Sequence, residues 1–276
     1  MVAIVVVATV GASTLGTASA SPVLLVDYKA LNYNATNGVW TDSSGNGDNA
    51  TVPVGTTAPT LMANATPNGS SAVSFTYLEY LDIATGLAPG SGYTVLAFAE
   101  PTEAVYLDDN LVGGPSGAMA YRIGPTSGVN YQLLGNDGTT LGTSNTGVPT
   151  TAFSMIGVAT DNAGKATFYF NGNADGTTTA NDLFTSSINL IGARGSSATG
   201  FFTGNVAEIQ IYSGVLTTSE VQTVNQAFTN SYITPVPEPA SLALLAVAGV
   251  GMLLLRRGKK LGVLLNDQGS LLNGQK

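Results

Sequence analysis

The stretch that decides the fold is IGARGSSATGFFTGNVAEIQIYSGVLTTSEV, which runs from Ile191 to Val221. Its middle part, GNVAEIQIY from Gly204 to Tyr212, alternates apolar and polar side chains, and this alternation predicts a strand with one buried face. We expect the apolar members to face the core and the polar members to face outward, or the reverse at a sheet edge. The apolar members are Ala207, Ile209 and Ile211, and the polar members are Glu208 and Gln210.

The residues that follow this strand predict a helix. The sequence TTSE, from Thr217 to Glu220, has the pattern of a capping box, in which the first hydroxyl and the last carboxylate satisfy free backbone N–H groups. Four apolar residues then recur at helical spacing, namely Val221, Val224, Ala227 and Phe228. One short helix is therefore expected, just before a proline-rich linker at residues 234–237.

The chain upstream of this stretch predicts many short strands. YTVLAFAE, at residues 93–100, is apolar on both faces and predicts a strand that is buried on both sides. Residues 153–160 and 165–171 flank a DNAG turn and predict a β-hairpin, with Ala166, Phe168 and Phe170 on one face. Further strands are predicted at residues 23–28, 72–75, 77–83, 118–123, 131–134 and 189–192, with loops at 42–51 and 51–71.

These short strands, the frequent glycine turns and the late helix predict an antiparallel β-sandwich. Residues 42–51 (DSSGNGDNAT), residues 161–172 (DNAGKATFYFNG) and the opening stretch together resemble a LamG-type, concanavalin A-like domain. The resemblance implies an all-β, antiparallel jelly-roll sandwich over residues 21–233, with one short C-terminal helix. This fold hosts lectins, glycosidases, adhesion modules and spacers alike, so it does not by itself decide the function.

The composition excludes several kinds of chemistry. The 276 residues contain no His and no Cys, which removes Ser-His-Asp triads, Cys-His pairs, imidazole zinc sites and disulfides. Between residues 21 and 235, four basic side chains stand against fifteen acidic ones, a formal charge of 4 − 15 = −11. Nucleic acid is therefore not expected as a partner, because phosphate contacts need Lys and Arg.

Catalysis by paired carboxylates is not expected either. Relatives of this fold that hydrolyse β-glucans carry two glutamates flanking an aspartate on one strand face. No E-x-D-x-E occurs here, and Glu79 and Asp82, three residues apart, point to opposite faces of a strand. Asp108 and Asp109 are adjacent and would likewise point to opposite faces of a strand. We therefore predict that the protein is not an enzyme and name no catalytic residue.

Side-chain oxygens crowd the loop that begins at Asp42. Calcium takes about six to eight oxygen ligands from carboxylates, amides and backbone carbonyls. The predicted ligands of a structural Ca²⁺ are Asp42, Asn46, Asp48 and Asn49, with Glu208 from the closing strand. The same loop residues also make a good tight turn, and the EF-hand spacing is absent, so both interpretations stay open.

Aromatic side chains are the candidates for binding an extracellular polysaccharide. Trp40, Tyr106, Tyr121 and Tyr131 are the residues considered. An aromatic ring in a β-rich chain more often packs in the core or against a neighbouring strand, so none of the four is preferred.

The first twenty residues predict a signal peptide. MVAIVVVATVGASTLGTASA has an apolar core and ends in a small-x-small site formed by Ala18 and Ala20, with cleavage expected after Ala20. No Lys or Arg precedes the apolar run. A buried first strand is the alternative, and the glycine and threonine residues at 11–17 disfavour it.

The C-terminal segment has three features in a fixed order. Val236, Pro237, Glu238 and Pro239 are followed by sixteen uncharged residues at 240–255 and then by RRGKK, which includes Arg256 and Arg257. A helix over 240–255 spans roughly 24 Å, which the snorkelling arginines extend toward a full membrane crossing. The basic residues predict a cytoplasmic end, which leaves the preceding domain outside the membrane.

This order resembles the PEP-CTERM sorting signal of exported bacterial proteins, which an exosortase reads. The resemblance covers about residues 235–260 and implies processing near the Pro-Glu-Pro motif, an exosortase-type enzyme as partner and a final place at the cell surface or outside the cell. The predicted organisation is a signal peptide at 1–20, a domain at 21–233, a sorting signal at 234–260 and an atypical tail at 261–276.

The predicted function is that of an exported, non-enzymatic surface or matrix protein with a structural, adhesive or polysaccharide-associated role. The alternatives are a lectin module and a glycoside-active enzyme of the same fold.

Overall fold

Seventeen β-strands and one α-helix are present in the part of the chain that the computed structural model describes. That part comprises residues 21–88, 92–102, 109–114, 120–124, 130–134, 140–147, 149, 152–161, 165–178, 187–195 and 198–235. The strands are β1 (Val23–Asn34), β2 (Val39–Asp42), β3 (Ala50–Thr51), β4 (Thr60–Met62), β5 (Ala72–Phe75), β6 (Leu81–Leu87), β7 (Tyr93–Pro101), β8 (Asp109–Asn110), β9 (Val112–Gly113), β10 (Ala120–Gly124), β11 (Asn130–Leu134), β12 (Thr140–Gly147), β13 (Ser154–Thr160), β14 (Ala166–Phe170), β15 (Asn173–Thr178), β16 (Ile188–Ile191) and β17 (Gly204–Ser213), and the helix is α1 (Thr218–Tyr232).

The predicted signal peptide, the sorting motif, the helix at 240–255, the basic cluster and the tail at 261–276 lie outside the described residues. Among the residues that are described, no helix has the length and apolar character needed to cross a membrane.

The main sheet contains thirteen strands in the order β15-β14-β13-β7-β17-β1-β2-β3-β6-β16-β9, and β4 and β5 branch from β17. A second sheet has the order β12-β11-β10-β8. All pairings between these strands are antiparallel, for example Gln210 of β17 opposite Leu96 of β7 and opposite Asp27 of β1. The all-β antiparallel fold with one short helix is therefore confirmed.

The main sheet folds over a shared core, since side chains from its middle strands and from β6, β9 and β16 belong to one buried cluster. Trp40 is completely buried in this cluster. Its ring lies 5.7 Å from that of Tyr28, 5.9 Å from that of Tyr33 and 6.3 Å from that of Phe75, measured between centroids. Tilted and edge-on pairs at these distances are favourable packing geometries, so Trp40 serves the core.

A second core lies between the helix and the outer face of the sheet. Val221, Phe228 and Tyr232 of α1 pack there with Leu96 and Phe98 of β7. The Phe98 and Tyr232 rings are stacked, with centroids 5.4 Å apart. Because the alternate residues Val95 and Ala97 belong to the first core, β7 is buried on both sides, as its sequence predicts.

The predicted hairpin is confirmed, since Ile156 of β13 lies opposite Phe170 of β14. Ala166 and Phe168 are buried in the first core, and Phe170 packs against it. The strands predicted at 72–75, 118–123, 131–134 and 189–192 correspond to β5, β10, β11 and β16. The strand predicted at 23–28 extends to Asn34, and the predicted loops contain the short strands β3 and β4.

One face assignment in β17 is wrong because the strand contains a β-bulge. Its register with β7 shifts between Val206 and Glu208. The extra residue breaks the strict alternation, so Ala207 joins the outer core while Ile209 and Ile211 join the inner one. Glu208 faces outward as predicted, yet it is buried beneath the helix.

The capping box of α1 is confirmed, since the Thr217 hydroxyl accepts from the Glu220 backbone N–H and the Glu220 carboxylate accepts from that of Thr217. The predicted apolar face needs one correction. Ala227 is exposed, and Tyr232, one turn beyond Phe228, takes the buried position instead. A large ring at 232 reaches the sheet, whereas the methyl group of Ala227 falls outside the contact face.

Candidate functional site

The predicted calcium loop is organised around the carboxylate of Asp42. Its Oδ1 accepts from the backbone N–H groups of Asp27 and Ser44, at 2.9 and 2.8 Å. Its Oδ2 accepts from the Ser44 hydroxyl at 2.7 Å and from the Gly47 N–H at 3.1 Å. These hydrogen bonds lower the pKa of Asp42 against the opposing effect of burial. Both oxygens therefore already hold the turn together.

The other predicted ligands of the loop are likewise engaged. The Asn49 side-chain oxygen accepts from the Asp42 N–H at 2.9 Å, and Asp48 Oδ1 accepts from the Thr85 hydroxyl at 2.8 Å. The Tyr28 hydroxyl donates to the Asp48 carbonyl. The Asn46 amide donates to the Leu25 carbonyl at 2.8 Å. The loop thus brings its four predicted ligands together, but it uses them as hydrogen-bonding groups of a tight turn.

Glu208, the fifth predicted ligand, has its partners beneath the helix and not in this loop. Within the described part of the chain, no three acidic side chains are grouped so that they would hold a metal ion. The hydrogen bonds of the loop favour the tight turn, and the structural Ca²⁺ stays an untested prediction.

Around Glu208 lies what we call the carboxyl network, formed by Asp27, Lys29, Glu208, Gln210 and Tyr232. The Glu208 side chain is 3% exposed. It accepts from the Tyr232 hydroxyl and from the Gln210 amide, both at 2.6 Å. Burial and the neighbouring Asp27 raise the pKa of Glu208 to about 7, although the Tyr232 hydrogen bond opposes this shift.

Asp27 is the second acid of the carboxyl network. Its Oδ2 lies 3.0 Å from the Lys29 Nζ, while its buried Oδ1 has no hydrogen-bond donor among the described residues. Asp27 also lies beside Glu208, and its carboxylate adds to the rise of the Glu208 pKa.

A depression of about 430 Å³ opens beside the carboxyl network, and it is lined by Lys29, Leu31, Glu208, Ser231 and Tyr232 together with residues 69–71. The neighbouring loop closes the end of α1. The Asn68 amide donates to the Ser231 carbonyl at 2.7 Å, and the Asn68 N–H donates to the Tyr232 carbonyl at 3.1 Å. The last carbonyls of a helix lack partners within the helix, so these bonds fasten its end to the loop between β4 and β5.

A second surface feature, which we call the aromatic ledge, consists of Tyr77, Leu78, Tyr80 and Phe201. Tyr77 is 68% exposed and Leu78 51% exposed. The Phe201 ring lies 5.7 Å from that of Tyr77 and 6.0 Å from that of Tyr80, between centroids. Tyr80 and Phe201 are half-buried, so Tyr77 is the exposed member of the three contacting rings.

The sequence did not predict the aromatic ledge, because its pattern predicted a strand over residues 77–83. In the structure the strand begins only at Leu81. Residues 76–79 form a turn in which the Glu79 N–H donates to the Thr76 carbonyl at 3.1 Å. Leu78 has a φ of 76°, in a region where glycine is favoured. No signal in the sequence marks this turn, because leucine is not a turn residue.

The four aromatic residues that the sequence suggested as sugar-binding candidates do not belong to the aromatic ledge. Trp40 lies in the core, and its indole N–H donates to the Lys29 carbonyl at 2.8 Å, so it is wrong as a sugar platform. The backbones of Tyr121 and Tyr131 lie in β10 and β11. Tyr106 lies outside the described residues.

An antiparallel sheet folded over its own core, with a late helix on its outer face, defines a concanavalin A-like domain. The family model described as "Concanavalin A-like lectin/glucanases superfamily" matches residues 75–222, and the chain belongs to this family. A model of the PEP-CTERM protein-sorting motif matches residues 235–259. That motif implies export and sorting at the membrane. None of the curated proteins matches the chain.

Solved structures show the same fold at low sequence identity. Domain 4 of AbnA, a GH43 extracellular arabinanase from Geobacillus stearothermophilus in complex with arabinotriose, matches with a TM-score of 0.56 and 17% identity over 74% of this chain and 99% of that domain. The binding domain of Paraclostridial Mosquitocidal Protein 1 matches with a TM-score of 0.53 and 14% identity over 75% of this chain and 52% of its own.

The binding domain of Botulinum neurotoxin DC, in complex with SialylT, matches with a TM-score of 0.52 and 12% identity over 74% of this chain and 51% of its own. The chain thus spans nearly the whole arabinanase domain but about half of each toxin chain. At these identities the likeness concerns the fold alone.

Proposed function

We propose that this protein acts outside the cell as a non-enzymatic surface or matrix component, with a structural or adhesive role, whose domain associates with polysaccharide. The observation that carries this proposal is the order of two family matches, a concanavalin A-like domain at 75–222 and a sorting motif at 235–259. A sorting signal directly after a single domain makes that domain the cargo delivered to the surface.

The choice of polysaccharide as the associated material is supported by the family and by structural neighbours. The family description joins lectins with glucanases, and the arabinanase domain is in complex with arabinotriose. We propose that this chain shares the use of the fold as a carbohydrate-binding module. The formal charge of −11 between residues 21 and 235 favours a neutral chain over an acidic one.

The absence of catalysis is proposed from the way in which the carboxylates are used. A glycosidase needs two carboxyl groups free to meet the substrate. In the carboxyl network, both oxygens of Glu208 accept protein hydrogen bonds and Asp27 is paired with Lys29. We therefore propose that these carboxyl groups hold the helix against the sheet and do not act on a substrate.

A glycoside-active enzyme is the second candidate, and one observation favours it. Glu208 has a pKa raised to about 7 and lies beside another carboxylate at an open depression, which is a pattern of acid–base catalysts. Hydrolysis of arabinan or β-glucan that is abolished by Glu208→Gln, with the fold intact, would establish this candidate and contradict the first.

We propose further that an exosortase-type enzyme processes the chain near Val236–Pro239, and that the apolar run at 240–255 anchors it only until then. Mass spectrometry of the mature protein from its native host tests the whole scheme. We expect a chain that starts at Ser21 and ends near the Pro-Glu-Pro motif. A mature chain that retains residues 240–276 would be a membrane-anchored protein, which contradicts this processing.

The association with polysaccharide is tested separately by incubating the purified protein with insoluble arabinan, β-glucan and the host's own matrix. We expect sedimentation with at least one of them and no release of soluble sugar. Failure to sediment with any polysaccharide would leave a spacer role and overturn the proposal.

A further inference from the structure

We propose that the aromatic ledge is the surface that contacts the sugar, and that it takes a neutral polysaccharide chain against the rings of Tyr77, Tyr80 and Phe201. This inference rests on the proposed function and adds to it the surface that binds the neutral chain.

The arrangement of the rings suits a sugar chain. The Tyr77 and Phe201 rings meet at 74°, and the Tyr80 and Phe201 rings at 44°. In the edge-to-face contact between Tyr77 and Phe201, the edge of one ring covers one face of the other and leaves the opposite face uncovered by its partner. A ring face is slightly negative and packs against polarised C–H groups, of which a sugar ring presents several on one side. The aromatic ledge therefore offers inclined platforms for successive sugar units.

The two phenol hydroxyls of the aromatic ledge complete this chemistry. Neither the Tyr77 nor the Tyr80 hydroxyl has a hydrogen-bond partner among the described residues, whereas the hydroxyls of Tyr28, Tyr33 and Tyr232 all donate to protein atoms. A phenol hydroxyl both donates and accepts, as a sugar hydroxyl does. The free hydroxyls thus match a ligand that is apolar on its ring face and polar at its edge.

The backbone beneath the aromatic ledge is strained in a way that packing does not explain. Leu78 occupies a φ of 76° with its side chain half in solvent, at a position where glycine would be relaxed. The turn is fixed from both sides, because the Thr76 N–H also donates to the Glu79 carboxylate at 2.6 Å. Strain of this kind collects at binding sites, and here it lies directly beside the exposed Tyr77.

Charge decides between a neutral sugar and other partners. No Lys or Arg belongs to the aromatic ledge, and the one acid in its turn, Glu79, is buried and bonded to the backbone. None of the four side chains of the aromatic ledge is charged, and the domain as a whole is acidic, which disfavours an anionic polysaccharide or an anionic bilayer. A neutral chain meets no such penalty.

The test measures the binding of the full-length protein, purified in detergent, to four immobilised probes: arabinan, a neutral β-glucan, alginate, and vesicles of phosphatidylcholine with phosphatidylglycerol. The variants are Tyr77→Ala, Phe201→Ala and Leu78→Gly. Val54→Ala is the matched control, because Val54 is fully exposed and lies outside both the aromatic ledge and the depression beside the carboxyl network. Thermal melting of every variant reports whether the fold is retained.

We expect the wild type and Val54→Ala to bind a neutral polysaccharide, and Tyr77→Ala and Phe201→Ala to bind it at least tenfold more weakly. Leu78→Gly should bind more weakly while melting no lower than the wild type. Unchanged binding in all three variants would overturn the aromatic ledge and leave the proposed function standing. Binding to alginate or vesicles that depends on Tyr77 would overturn the neutral sugar, and no polysaccharide binding by the wild type would overturn both proposals.

Discussion

Tyr232 and Tyr77 use the same side chain in opposite ways. Tyr232 is buried, its ring stacks on Phe98, and its hydroxyl donates to the carboxylate of Glu208. Tyr77 is mostly exposed, contacts the Phe201 ring and leaves its hydroxyl unused. In the carboxyl network, chemically versatile groups thus stabilise the fold. The aromatic ledge instead exposes apolar surface to water on a strained turn. Chemical reactivity alone is therefore a poor guide to where this domain meets its ligand.

The largest expected effect is on the free energy of unfolding, and it differs between substitutions of the two tyrosines. We expect Tyr232→Ala to lower the free energy of unfolding by about 4 kcal/mol, because it removes a buried ring and leaves Glu208 without one donor. Tyr77→Ala should change it by less than about 0.5 kcal/mol, as is usual for an exposed side chain. Urea denaturation monitored by circular dichroism measures both. Equal losses of unfolding free energy in the two variants would contradict the proposed difference between Tyr232 and Tyr77.

The next effect is the pH dependence of the carboxyl network. The folded-state pKa of Glu208, about 7, lies above its ordinary value of 4.5, so the folded protein holds a proton that the unfolded chain has lost. The stability that this proton contributes is complete below about pH 4.5 and disappears as the pH rises to about 7. We expect the melting temperature to fall over that window. In Glu208→Gln the fall should be much smaller, since glutamine stays neutral at every pH, and an unaltered pH profile in this variant would assign the effect to other groups.

A smaller effect on stability is expected at the strained turn of the aromatic ledge. We expect Leu78→Gly to raise the free energy of unfolding by about 0.5 kcal/mol, because relief of the positive φ outweighs the added freedom of glycine in the unfolded chain. Asn64, with a φ of 54°, is the matched control, since asparagine tolerates this region and Asn64→Gly should gain nothing. Thermal melting distinguishes the two variants. A destabilised Leu78→Gly would mean that the leucine side chain packs productively.

The smallest effect concerns the loop at Asp42. Because its oxygens already accept hydrogen bonds from the chain, we expect a chelator to leave the melting temperature unchanged within about one degree. Differential scanning calorimetry with EDTA, and after return of excess calcium, measures this. A drop of several degrees that calcium restores would establish a structural ion and make Asp42 a ligand.

The fold was largely predictable because it depends on local signals that reinforce one another. The apolar residues of 93–100 and the DNAG turn at 161–164 each specify one pairing, and the capping box at Thr217 specifies where the helix begins. The face of Ala207 was not predictable, because the bulge in β17 arises from pairing with β7 and leaves no mark in either strand. Tyr232 likewise became part of the core only through contact with Phe98.

The surface features were less predictable than the fold, for the same reason. Asp42, Asn46, Asp48 and Asn49 are close in sequence, and their grouping in one loop could be seen there, but not how each oxygen is satisfied. The partners of Glu208 come from β1 and the end of α1, far away along the chain. Tyr77 and Phe201 are separated by more than one hundred residues, so only the folded chain brings their rings together.

The most direct single measurement is calorimetric titration of a neutral polysaccharide into the wild type, Tyr77→Ala and Tyr232→Phe, with the melting temperature of each recorded. We expect Tyr77→Ala to lose at least tenfold in affinity while melting like the wild type. Tyr232→Phe, which removes only the hydroxyl bonded to Glu208, should melt lower while binding like the wild type. The opposite assignment, with affinity lost in Tyr232→Phe and kept in Tyr77→Ala, would place the ligand at the carboxyl network and contradict the division of roles between these two regions.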